Sequence, residues 1–255
     1  MNLKYSLRPR LTIKTYLFVY LLVLIVVSFV YTPIQVVWKS IVVAWTVAII
    51  GELLLNALTK KIVRIPDSAL ITATIIPVVL ATSTSLFLIS LAVLIALFTK
   101  HFIRFRDKHI FNPANIAIFL MIYIFGQNIQ WWGASNVIII VILGLLVMYK
   151  LRRVWPPIIF LTVYFLLLIF STDNISLEAI KTTTTSDYSP FFFAFVMLPE
   201  PQTAAGTAKG RIVNSVLVAT FAVAFTLFNM KAPLIASLAL VNLITPIVNM
   251  YSKRK

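Results

Sequence analysis

The 255-residue chain carries 22 Lys and Arg against seven Asp and Glu, a net charge of +15, yet 61% of its residues are hydrophobic and only 11% are charged. Its mean hydropathy of +1.00 lies far outside the range of soluble domains. With no cysteine the sequence excludes Cys-ligated iron–sulfur clusters, thiolate zinc sites and disulfides. Its two histidines, His101 and His109, share one basic loop, which excludes haem held by imidazoles within spans, and no Gly-x-x-x-x-Gly-Lys phosphate loop is present.

Cuts at charge clusters, prolines and turn residues predict ten apolar segments, at about 11–31, 36–59, 68–82, 85–105, 113–126, 136–150, 155–171, 189–199, 211–228 and 233–251. Membrane helices need about 20 apolar residues, and the alternation of a transmembrane β-barrel is missing. The expected fold class is therefore an all-α integral membrane protein forming a single transmembrane domain. The first segment follows Lys4, Arg8, Arg10 and Lys14 and meets Tyr31-Thr32-Pro33, with no small-x-small cleavage site after Val30, so a retained helix is expected. If the N-terminus is cytoplasmic, ten crossings place 19 of the 22 basic residues on the inner side, leaving only Lys39, Lys181 and Lys231 outside. That asymmetry predicts a multi-pass plasma-membrane protein with both termini cytoplasmic. The positive charge then reads as topology and contact with anionic membrane lipid. Spread over six loops, it argues against nucleic acid as a partner.

In chain order, the first polar residue needing an explanation is Glu52, within the second segment. Either it faces the bundle interior with a partner or protonated, or it is interfacial and neutralised by Lys60 or Lys61. The third segment opens at Asp67-Ser68, both good helix N-caps, and contains Pro77. Phe111-Asn112-Pro113-Ala114-Asn115 opens the fifth, with two Asn three apart whose amides can face one planar heterocycle. The loop from Gly126 to Asn136 is uncharged and carries Trp131-Trp132, and the run Thr182 to Thr185 reads as a solvated loop. The eighth segment, from Ser189 to Pro199, is short and leads into Glu200-Pro201-Gln202-Thr203, where the prolines hold Glu200 in extended backbone. Segments three and eight are both short and bounded by Pro. Asn-Pro at the fifth segment is echoed by Asn229 and Pro233 before the tenth. Together they predict two inverted five-segment repeats, 1–126 and 127–255, whose broken third and eighth spans present free helix ends to a buried site.

Four runs, taken in order, resemble the RnfD/NqrB family: Pro66 to Thr72, Phe111 to Ala114, Tyr149 to Pro156 and Phe192 to Thr203. The tail Leu240 to Asn249 does the same, so the likeness covers Ile49 to the C-terminus. That family comprises the membrane flavoprotein subunits of the Rnf and Na⁺-translocating NADH:quinone oxidoreductase complexes. The resemblance implies a ten-helix inverted repeat that holds flavin and passes electrons between a cytoplasmic reductase partner and an acceptor in or across the membrane, alongside other membrane subunits. Carried over by position, it places Phe111, Asn112, Pro113 and Asn115 around the flavin, with Asp67, Glu200, Gln202 and Thr203 nearby, and makes Glu52 the ion-coupling candidate. The family's Ser-Gly-Ala-Thr flavinylation sequence has no counterpart, because the Gly126–Asn136 loop contains no Thr. The cofactor expected is therefore riboflavin or FMN held non-covalently. Glu200-Pro201 stands where the family has Asp-Pro, and Asn249 where it has an acid. No nicotinamide-binding unit is present in the chain, so it offers no complete catalytic site of its own. The competing expectation is a small-solute or flavin transporter or channel on the same scaffold.

Overall fold

The computed structural model describes residues 12–58, 67–105, 108–171 and 187–252, with no side-chain description from 250 onward. Lys60, Lys61 and the Thr182–Thr185 run lie outside the described residues. The protein is mostly helical, at 75%. Among the described residues the helices are α1 (Ile13–Ser28), α2 (Ile34–Leu58), α3 (Asp67–Val79), α4 (Leu86–Phe102), α5 (Pro113–Tyr123), α6 (Val137–Leu151), α7 (Trp155–Ser171), α8 (Ser189–Phe192, continuing as a π-helical turn over Phe193–Met197), α9 (Ala208–Leu227) and α10 (Pro233–Ser252). Each falls on one of the ten predicted apolar segments. Not anticipated is a small antiparallel hairpin, β1 (Arg104–Phe105) and β2 (Lys108–His109), in the basic loop before α5.

Local chemistry sets the helix starts. Thr12, Ser85, Asn112, Asn136 and Thr207 cap α1, α4, α5, α6 and α9, each side chain accepting from a backbone N–H three residues on. At the end of α6, Arg152 takes a left-handed conformation (φ 55°) and the N–H of Arg153 returns to the carbonyl of Met148, a Schellman-type stop built without glycine.

α1 packs on α3 and α6; α2 on α3 and α4; α4 and α10 on α5; α6 and α7 on the π turn of α8; and α9 on α7 and α10. Polar contacts pin the central pairs. Tyr20 Oη–H donates to the Ile140 carbonyl at 2.9 Å, Ser28 and Ser135 meet at 2.8 Å, and Trp45 Nε1–H donates to Thr74 Oγ1 at 2.9 Å. α3 ends early, as Pro77 and the loop before α6 require. The Trp132 indole donates to the Pro77 carbonyl at 2.6 Å, while Leu80 pairs as a β-bridge with Ile129. The free carbonyls of the helix end are thus satisfied by the Trp-bearing loop. At about 1.5 Å per residue, α3 is ~20 Å long, and α8 with its π turn is shorter still.

By length and composition α2 and α9 are able to cross a membrane; α1 and α3 to α7 are shorter apolar helices. Large apolar side chains cover the outside, including Val26 (63% exposed), Phe87 (73%) and Phe98 (54%). Inside, Phe192, Phe193 and Phe195 of α8 are buried, and a Cβ on Gly144 of α6 would lie 2.6–2.8 Å from the Phe195 ring and its Cβ. Only a glycine permits this approach of α6 to the π turn. Gly144→Ala is expected to lower unfolding stability by about 1–3 kcal/mol through overpacking. The shift should be read by thermal or denaturant unfolding.

Candidate functional site

The π turn of α8 ends at Leu198, and the chain then runs through Pro199 into a turn closed by the Ala204 N–H on the Glu200 carbonyl. A π-helical turn leaves carbonyls without ordinary helical partners. One of them, on Met197, accepts from Asn112 Nδ2 at 3.0 Å, while Asn112 Oδ1 accepts from the Asn115 N–H at 3.1 Å. A single buried amide therefore caps α5 and anchors the end of α8. Asn115, fully buried, donates from Nδ2 to the Ile235 carbonyl at 3.0 Å and ties α5 to α10. Both Asn side chains hold backbone in place.

Around this junction lies a cavity of about 340 Å³, within the ~300–1,000 Å³ typical of small-molecule sites. Its wall is supplied by Lys14 and Leu17 of α1; Ser68, Ile71, Thr72 and Ile75 of α3; Lys100 of α4; Arg104 and His109 of the hairpin; Asn112, Pro113 and Ala114; Val147 and Met148 of α6; and Phe195 through Gln202 in part. Of the residues expected at a site, Asn112, Pro113, Glu200 and Gln202 line it. Phe111, Asn115, Asp67 and Thr203 are not among its lining residues. Asp67 is the first residue of α3, and the Thr203 hydroxyl donates to Glu200 Oε2 at 3.2 Å. Lys14, Lys100, Arg104 and Phe195 were not among the expected residues. Lys100 had a usable signal, because a buried Glu52 needs a cation and Lys100-His101 closes another apolar segment.

Burial pushes the Glu200 carboxyl up to about 7, against the opposing pull of the Thr203 hydroxyl and the Lys100 ammonium. Burial likewise pushes the His109 imidazole down to about 4, helped by the positive charges of Arg104, Lys100, His101 and Lys14. His109 is thus neutral at neutral pH.

Glu52 is buried and paired. Lys100 Nζ donates to Oε1 at 2.8 Å and His101 Nε2–H to Oε2 at 3.1 Å. Both partners come from α4, as the reading of an inward-facing acid with its own partner expects; Lys60 and Lys61 of the other reading lie outside the described residues. Through Lys100 the ion pair touches the cavity, whereas Glu52 itself is outside its wall. Among the described residues no group of three or more His, Asp or Glu could hold a metal ion. The sequence matches no protein-family model and no curated protein.

Glu52→Ala leaves a buried ammonium without its counter-charge and is expected to cost about 3–5 kcal/mol of stability, whereas Glu52→Leu with Lys100→Met recovers most of it; equilibrium unfolding of the three proteins measures both. For Glu200 the folded chain holds its proton more tightly than the unfolded chain, so stability is expected to fall as pH rises from the ordinary carboxyl value toward about 7. A protonated-carboxyl infrared band should disappear with a midpoint at about 7 and be missing in Glu200→Gln.

Proposed function

We propose that this protein is a membrane-embedded electron-transfer subunit of the RnfD/NqrB type that holds a flavin non-covalently in the cavity beside Asn112. The observation that carries the reading is convergence: residues from all four family-like runs, among them Ser68, Asn112, Leu151 and Gln202, come from segments up to more than 120 residues apart and line one cavity. The residues suit the group. Apolar side chains from α1, α3, α6 and the π turn offer contacts to a flat ring, while the Ser68 hydroxyl, the Gln202 amide and the basic side chains offer partners for polar edges.

Two sets of observations favour membrane insertion as ten segments in two inverted halves. The outward surface is apolar and two helices have spanning length. Contacts in the first half also have counterparts in the second: α2 on α4 matches α7 on α9, α4 on α5 matches α9 on α10, and α1 on α3 matches α6 on α8. The corresponding elements α1 and α6, and α5 and α10, meet each other. Short α3 and α8 then bring helix ends to mid-depth, where unpaired backbone is tolerated only against protein or a lined cavity.

A bound flavin would supply one- and two-electron redox chemistry. The chain's own part is positional. Asn112 fixes the cavity wall, the apolar side chains limit water, and the cationic rim sets the local potential. With no nicotinamide site in the sequence, electrons come from a cytoplasmic flavin or nicotinamide reductase partner, and other membrane subunits complete the path.

Protein purified in mild detergent is expected to show a visible flavin absorption that survives washing and bleaches with dithionite. Asn112→Leu should lose the flavin, because α8 is then unanchored. Colourless wild-type protein that moves solute into liposomes would replace this reading with a transporter.

A further inference from the structure

The side chains around the cavity belong to one end of the bundle. Lys14 is the second residue of α1, Ser68 the second of α3 and Pro113 the first of α5, while Lys100 and Leu151 lie in the last turns of α4 and α6. Lys14, Pro201 and Gln202 are exposed, so the cavity opens at that end. Its inner wall is made by Ile75, Val147 and Phe195, all buried. From Ser68 to Ile75 the wall follows α3 for ~10 Å, at about 1.5 Å per residue. A bilayer core is about 30 Å thick, so the cavity reaches roughly a third of the way across.

Beyond Ile75 the space is filled. Ile76, Val78, Val79 and Leu80 are buried, and the loop that carries Trp131 and Trp132 folds over them. Besides the Leu80–Ile129 bridge, the Ala81 N–H donates to the Asn128 carbonyl and the Gln130 N–H to the Val79 carbonyl, both at 2.9 Å. The Trp132 indole is buried on the Pro77 carbonyl, the Trp131 ring lies 5.9 Å from that of Phe192 in α8, and Ser135 meets Ser28 at the end of α1. A Cβ on Gly133 would lie 2.2 Å from a Val78 methyl, so the loop backbone itself touches α3. The loop is thereby tied to α1, α3 and α8, three of the elements that wall the cavity, on the side away from its mouth.

We infer that the cavity is blind: its occupant enters, leaves and meets its partners only at the end where α1, α3 and α5 begin, and the loop 128–135 seals the other side. The inference rests on the membrane insertion proposed above and not on flavin as the occupant. With the basic loops inside, the open end faces the cytoplasm. A carrier must open its site to each side in turn, and a site closed by a loop that also satisfies the carbonyls of a helix end is not built for that.

The chain contains no cysteine, so single thiols can be placed without removing any. Gln202→Cys reports on the mouth, Thr72→Cys and Val147→Cys on the wall, and Asn128→Cys on the far loop. Each is treated with a sulfonate-bearing methanethiosulfonate, which does not cross lipid, in inside-out and in right-side-out vesicles, and modification is read by mass spectrometry. The mouth and wall thiols are expected to react in inside-out vesicles and to be protected in right-side-out ones, with the reverse for Asn128→Cys. A wall thiol that reacts from the Asn128 side, or from both sides, overturns the blind cavity, as does failure of both wall thiols to react from either side in protein washed free of flavin. If Gln202→Cys and Asn128→Cys react from the same side, the membrane insertion falls and the inference with it. Riboflavin added at the open side should slow modification of the wall thiols; if it does not, the flavin reading falls while the blind cavity stands.

Discussion

The side chain of Asn112 joins two elements that have no sequence proximity: through Oδ1 it caps α5, and through Nδ2 it holds the carbonyl at the end of the π turn of α8. Both acceptor and donor are buried, and leaving either unpaired costs about 1–3 kcal/mol, so the two bonds constrain each other. Around that fixed point the remaining geometry follows. Phe195 presses on α6 where Gly144 leaves room, Glu200 and Gln202 turn toward the cavity, and Asn115 one turn further on secures α10. Remove the amide and the short α8, which is too brief to be stable by its own hydrogen bonds, has little to hold its C-terminal end.

The second constraint is electrostatic. Glu52, Lys100 and His101 form a buried group between α2 and α4, and such a group is a poor source of stability compared with apolar packing. Its value lies in position. Lys100 belongs both to the ion pair and to the cavity wall, so Glu52 fixes the position of an ammonium that faces the cavity. The neighbouring hairpin adds Arg104 and His109 to the lining of the same cavity.

Several features were legible early because they depend on local rules. The helix starts were marked by Thr, Ser and Asn caps, the short third and eighth segments by their prolines, and the special character of Asn112 and Glu52 by the cost of placing polar groups among apolar ones. Other features were not. Asn115 was expected to face a ligand; its Nδ2 donates to the carbonyl of Ile235, 120 residues away, while its buried Oδ1 has no hydrogen-bond partner in the structure. Glu52 was read as either an inward-facing acid with a partner of its own or an interfacial one near Lys60 or Lys61, and the partners the structure describes, Lys100 and His101, lie on α4. The π turn has no sequence mark at all, since it arises from how Phe193 to Met197 pack against α6 and α7.

Composition and periodicity by themselves determined that the chain is mostly helical, where the ten helices of the described residues lie and which polar residues demand partners, because hydrogen bonding within a helix and the penalty for burying charge are local properties of the chain. Only the tertiary structure decided which partners those residues take and that Lys14, Lys100 and Arg104 share one cavity with Asn112 and Glu200. Such pairings depend on how helices remote in sequence cross, and a crossing is set by the joint fit of many side chains, which no single segment encodes.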